Sequence, residues 1–345
     1  MGKLLEEVVV KLMKLSFLGV MFFLLLLSHP GAHGFIFPGF PGFWNFGDST
    51  TMIDGKYQNS FGSRGYKLFV PSQSSKNPGL LVVLHGCFLT GDQMASGTGL
   101  NLLGEANNFL VLYPEQTYGD NPWKCWNWFK PENHQRSGEL SIIAEMTREI
   151  VKARGVDSGK VFVTGISAGA ATASNILACY SDVFAGGLLH SGLEYRAAQT
   201  EEEGHTAMKN GSTQDLDESA ERAVQCSPPS SRPLRVIVIH GTKDPYVGTI
   251  NADRTNEQMI KINGILWIKS GGLPTQVATR SSRIEQNDRK FNAAVTETLF
   301  GKSVIVKKIM VEGMGHGWSG GNSTAPYMEP RGVNASQLLV DFLLL

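Results

Sequence analysis

The chain has 345 residues, its 31 lysines and arginines are matched by 31 acidic residues, and only 18% of it is charged. That balance excludes a nucleic-acid footprint and a solvating acidic tail, and the length is ample for one large core.

In chain order, the first feature is an apolar run over 15–27, preceded by Lys14 and followed by the small residues Ala32 and Gly34. It falls short of the ~20 residues that a membrane helix needs. We read 1–34 as a secretory signal peptide cut before Phe35, with Met13 as an alternative start and an uncleaved anchor as the competing reading. The expectation is a secreted protein, extracellular or periplasmic, with no stable membrane anchor. Residues 35–60 open with FIFPGFPGFWNF, too rich in proline and glycine for regular structure, and are expected to form an N-terminal arm. The folded domain is then 61–345.

Within it, short apolar runs alternate with helical patterns. Strands are expected at 66–70, 80–85, 109–113, 160–164, 186–190, 235–240 and 304–311, and helices at 91–108, 140–154, 168–180 and 334–345. This alternation predicts a doubly wound α/β fold, a mostly parallel sheet with helices on both faces. Two stretches break the rhythm. The polar 196–232 reads equally as a plain surface insertion or as decoration of the site. The mixed 251–300 is expected to shape the substrate site. Cys87, Cys125, Cys179 and Cys226 have no C-x-x-C spacing, so no metal cluster is indicated. In an oxidising compartment they predict two disulfides, with three pairings open.

Gly165-Ile166-Ser167-Ala168-Gly169 follows the strand-like 160–164 and precedes a small-residue helical stretch. Strand, G-x-S-x-G and helix together make a nucleophile elbow, in which a sharp turn exposes the serine hydroxyl. A serine needs a base to take its proton and a carboxylate to orient that base. Downstream, the apolar run 234–240 ends in Gly241-Thr-Lys-Asp244, which places Asp244 in the loop leaving a strand. The last strand runs into Gly315-His316-Gly317, which places His316 in the next such loop. Order and placement suit a Ser-Asp-His triad on a parallel sheet. The developing oxyanion needs donors. The N–H of Ala168, at the start of a helix, is one, and that of Cys87, just after the strand 80–85, is the other.

His85, His190 and His240 each end a strand and are expected to anchor backbone. His134 and His205 read as polar-loop residues. Gly315-His-Gly-Trp-Ser-Gly320 fits the dinucleotide fingerprint, but it lies near the last helix and opens onto Asn-Ser-Thr-Ala-Pro, so no nucleotide or other cofactor is expected.

His85-Gly-Cys87, Trp123-Lys-Cys-Trp126-Asn-Trp-Phe129, Gly165 to Ala170, His240-Gly-Thr-Lys-Asp244 and Gly315-His316-Gly-Trp318-Ser-Gly-Gly321 occur in one order. Together they resemble the catalytic domain of the poly(3-hydroxybutyrate) depolymerase family of esterases, a branch of the α/β-hydrolase fold near the feruloyl and acetylxylan esterases. The resemblance covers roughly 60–345. It implies Ser167 as nucleophile, His316 as base, Asp244 as orienter, and Cys87 and Ala168 as oxyanion donors. It implies a Cys87–Cys125 disulfide, which leaves Cys179 with Cys226, and it makes Trp126 and Trp318 the expected substrate contacts. Secreted polymer depolymerases usually carry a linker and a substrate-binding domain after the catalytic domain. This sequence ends at Leu345, which shifts the expectation toward soluble oligomers or small esters.

The reading is therefore a metal-independent serine esterase acting on hydroxyalkanoate esters, with a feruloyl or acetylxylan ester as the alternative. A non-catalytic binding module on the same fold is the alternative of another class, and the complete triad argues against it. No nucleic-acid partner is expected, and no feature speaks to the oligomeric state.

Overall fold

The computed structural model describes residues 52–343 apart from 75, 230–231 and 288–289; the expected signal peptide and most of the arm lie outside the described residues. The centre of the fold is a ten-stranded sheet. In chain order its first strands are β1 (Ile53–Asn59), β2 (Gly62–Phe69), β3 (Gly79–Leu84), β4 (Phe109–Glu115) and β5 (Val161–Ile166). Next come β6 (Gly186–His190), β7 (Arg235–Gly241), β8 (Val277–Ile284), β9 (Ala293–Phe300) and β10 (Ser303–Val311). The spatial order is β1-β2-β4-β3-β5-β6-β7-β10-β9-β8. From β4 to β10 every neighbouring pair is parallel, and both flanks are antiparallel.

The central strands are buried at almost every position because both of their faces are covered. Alternate residues of β3 feed two cores. Leu80, Val82 and Leu84 join one that also holds Leu140, Ile176, Ala220 and Met259, whereas Leu81 and Val83 join another with Met94, Leu100 and Leu339. The first core lies under helices α3 (Gly138–Arg154), α4 (Ala168–Cys179), α6 (Leu216–Cys226) and α7 (Ile250–Lys269). The second lies under α1 (Gly91–Thr98), α2 (Leu100–Asn107) and α8 (Ala335–Leu343). Helix α5 (Glu201–Asn210) belongs to neither core and sits over the site. The architecture is that of an α/β-hydrolase.

Three expectations change, and one open alternative is decided. Residues 53–59, assigned to the arm, form β1 and pair with β2 from Ile53 opposite Leu68 to Asn59 opposite Gly62. This edge strand has no buried residue, so no apolar alternation marks it. The helix expected at 91–108 is two helices, because Gly99 takes a left-handed φ of 66° between them. The stretch 196–232, open between a plain insertion and decoration of the site, folds into α5 and α6, and α5 lines the cleft. The stretch 251–300 forms most of α7 together with β8 and β9, which widen the sheet, and none of its residues lines the cleft described below. Shaping the site falls to α5 instead.

Candidate active site

The C-terminal ends of β3, β5, β7 and β10 meet at one cleft, the usual position of a site on a parallel sheet. Ser167 follows β5 as the residue capping α4, with φ 57° and ψ −122°. This sparsely populated conformation costs on the order of 1–3 kcal/mol and persists only where its surroundings impose it. Here they do. A methyl group at Gly165 would collide with the backbone of Gly169, and one at Gly169 with the carbonyls of Leu84 and His85. The two glycines thus let β3, β5 and α4 close up, and the Ser167 N–H donates to the His190 carbonyl at 2.9 Å.

Asp244 leaves β7 in a turn pinned to the loop after β10. Lys243 N–H donates to the Met314 carbonyl at 2.9 Å, and Gly313 N–H donates to Thr242 Oγ1 at 2.8 Å. Oδ1 of Asp244 accepts the N–H groups of Tyr246 and Val247, each at 2.9 Å. Its Oδ2 lies 2.7 Å from Nδ1 of His316. A carboxylate only accepts, so Nδ1 carries the hydrogen and Nε2 of the neutral ring keeps its lone pair. The Asp244 side chain has no solvent exposure. Burial opposes its charge most strongly, but the hydrogen bond and charge of His316, the Val247 amide and His240 outweigh it and hold the carboxyl below its ordinary value. The rings of Tyr246 and Tyr327 stand edge-on to His316, with centroids 5.5 and 6.2 Å away.

Cys87 follows β3. A disulfide joins it to Cys125, and Phe88 N–H donates to the Trp123 carbonyl at 2.9 Å, so the two loops form one wall. The second disulfide is Cys179–Cys226. Ala168 is the first residue of α4, where N–H groups lack an intrahelical carbonyl and the helix dipole favours negative charge.

The cleft has a volume of about 520 Å³ and borders Ser167, His316, Cys87, Phe88, Tyr246 and Tyr327. A smaller chamber of about 70 Å³ adjoins the cleft at Ser167, against Ala168, Cys87 and Trp128 and without His316. Asn121, Glu201 and His205 also reach it. Past His316, between Tyr246 and Tyr327, lies a third hollow of about 430 Å³ bordered by Lys243 and Glu329.

Trp126 and Trp318 are not among the residues lining any of these spaces, contrary to expectation; both are fully buried. Trp126 lies under the Cys87 loop, where its Nε1–H donates to the His85 carbonyl at 3.1 Å. Trp318 stacks on His190 at 5.4 Å and donates to Ser336 Oγ at 3.0 Å. A fully buried indole is satisfied by such a partner and has no surface to offer a ligand.

The histidines that end strands hold backbone. His85 Nε2 accepts the Gln116 N–H at 3.0 Å, His190 Nε2 accepts the Ser319 N–H at 3.0 Å, and His240 Nε2 lies 2.9 Å from the Val247 carbonyl. Burial pushes His85 down to about 4, with the Lys124 charge adding to the effect, and pushes His190 to about 3; it lowers His240 as well. His134, expected in a polar loop, is buried with Nε2 3.0 Å from the Trp128 carbonyl, and His205 lies on α5 at the cleft.

Two contributors escaped sequence reading. Glu139 is a buried hub that accepts from Arg64, Gln116, Asn127 and the Asn127 amide, which fixes the tract carrying Cys125. Helix α5 supplies Gly204, His205 and Met208 to the chamber wall. Its cap, Thr200 accepting the Glu203 N–H at 3.2 Å, was the available signal for a helix there.

Comparison with known proteins agrees with this architecture. Residues 64–282 match the family described as Esterase PHB depolymerase. Poly(3-hydroxyalkanoate) depolymerase C of Paucimonas lemoignei is 33% identical over 203 residues, 57% of this chain and 48% of that protein. Acetylxylan esterase A of Emericella nidulans is 26% identical over 281 residues, covering 79% and 83%. The first curated relatives are thus matched over about half of their length. The acetyl xylan esterase of Aspergillus awamori superposes with a TM-score of 0.62 at 23% identity, over 77% of this chain and 94% of that one, and so shares the fold. The match spans well over half of the sequence, and this chain belongs to the esterase PHB depolymerase family.

Proposed function

We propose that the protein is a serine carboxylic-ester hydrolase with Ser167 as nucleophile, His316 as base and Asp244 as orienter. The observation that carries the reading is the 2.7 Å His316–Asp244 pair facing the same cleft as a serine held in a strained elbow. As the Ser167 Oγ–carbonyl bond forms, the hydroxyl proton passes to His316 Nε2. The oxyanion faces the amides of Cys87 and Ala168, donors worth about 3 kcal/mol each in such sites. Collapse breaks the ester C–O bond, and the alcohol leaves with the proton from His316. Water then repeats the sequence on the acyl enzyme and regenerates Ser167. Export to an oxidising compartment belongs to this reading, supported by the two disulfides and the apolar run at 15–27. Among the described residues no helix is long and apolar enough to cross a membrane.

For the substrate, the reading is a hydroxyalkanoate ester, supported by the family match and by the named depolymerase relative. A second reading, an acetyl ester of a polysaccharide, draws on the polar hollow past His316, where Lys243 and Glu329 suit hydroxyl groups. Parallel assays on 3-hydroxybutyrate oligomers and on acetylated xylan separate them. Release of 3-hydroxybutyrate without acetate supports the first, and the reverse outcome overturns it.

A further inference from the structure

The two spaces that meet at Ser167 are unequal. The chamber, at about 70 Å³, is a small fraction of the 520 Å³ cleft. Trp128, Phe129, Leu193, Gly204, Met208 and Val247 give it a largely apolar lining, with Asn121, Glu201 and His205 as its polar members. His316 borders the cleft and the outer hollow but not the chamber. This asymmetry orients an ester. The leaving oxygen must take its proton from His316 and therefore lies on the cleft side. With the oxyanion toward Cys87 and Ala168, the remaining substituent of the carbonyl carbon points into the chamber. We propose that the chamber is the acyl pocket, and that Gly204 and Met208 of α5 fix the length of the acyl group it accepts. The proposal rests on the serine-esterase reading above.

A water molecule needs about 10–15 Å³ of space of this kind, so the chamber suits a short group of roughly five heavy atoms. Gly204 is buried, and a methyl added there would sit 3.3 Å from the Trp128 ring, tight enough to fill part of the space. Met208 borders both chamber and cleft. Helix α5 cannot easily retreat, because the Met208 carbonyl accepts Gly248 N–H at 2.7 Å and Asn251 Nδ2 at 2.9 Å. Those bonds tie it to the chain following Asp244. Both are backbone acceptances on α5, so truncating the Met208 side chain leaves them in place.

The test is kcat/KM on p-nitrophenyl acetate, propionate, butyrate and hexanoate, which share one leaving group. One methylene in an apolar pocket is worth about 10-fold or more. Gly204→Ala should lower the butyrate-to-acetate ratio by about 10-fold, and Met208→Ala should raise it by a similar factor. Tyr246→Ala, on the alcohol side, should change discrimination between methyl and naphthyl acetate and leave the acyl-length ratio alone. If Gly204→Ala does not fold, the Met208→Ala ratio alone decides. Acyl-length ratios within twofold of wild type for the α5 variants, or a length profile moved by Tyr246→Ala, would overturn the assignment. Failure of the underlying reading looks different, since Ser167→Ala would then keep full activity on every ester.

Discussion

The carbonyl of His190 accepts the N–H of Ser167 at 2.9 Å, while the ring of the same histidine accepts the N–H of Ser319 at 3.0 Å. One residue at the end of β6 thus ties the elbow to the chain just beyond His316. The ring can accept only while Nε2 is unprotonated, which couples the geometry of the site to a buried neutral histidine.

That coupling predicts an acid limit on stability. His190 and His85 have folded-state values of about 3 and 4, below the 6.5 of an unfolded histidine. Between those values the unfolded chain binds more protons, so stability rises with pH. The contribution is complete above pH 6.5 and is lost as pH falls toward 4 and then 3. Thermal unfolding should show Tm falling steadily from pH 7 to pH 4, and His190→Gln should flatten that slope while lowering Tm at pH 7. An unchanged slope would remove His190 from this role.

Asp244→Asn should lower kcat by about 10⁴, since the replacement can donate to Nδ1 and stabilise the wrong tautomer of His316. The residual activity should come with a KM close to wild type. Steady-state kinetics check this, with circular dichroism verifying the fold.

The Cys87–Cys125 disulfide holds one of the two loops that supply oxyanion donors. Replacing both cysteines by serine should cost about 10²-fold in kcat, the scale of one misplaced donor, with a much smaller change in KM. Replacing Cys179 and Cys226, which lie on α4 and α6, should lower Tm and change kcat little. Comparing the two double variants distinguishes a role in the site from a role in the fold.

Much of this molecule could be read from local pattern. The central strands are buried on both faces, so their uninterrupted apolar runs stood out, and the glycines at 165 and 169 meet neighbours too close for any side chain. Asp244 and His316 were legible because each follows such a strand. The edges were not, since neither β1 nor β8 buries a residue and no apolar alternation marks either strand. Trp126 and Trp318 were misplaced for a related reason. An indole beside a site in sequence can point either way, and only the acceptors at His85 and Ser336 reveal which. The α5 wall was hidden because its site-facing residues, Gly204, His205 and Met208, have no shared chemical signature.

The most direct test of the account is covalent. A fluorophosphonate should label the protein with one adduct, and peptide mass spectrometry should place it on Ser167. Ser167→Ala should neither label nor hydrolyse p-nitrophenyl acetate, with kcat down by about 10⁶. An adduct on another residue, or wild-type turnover by Ser167→Ala, would contradict the account.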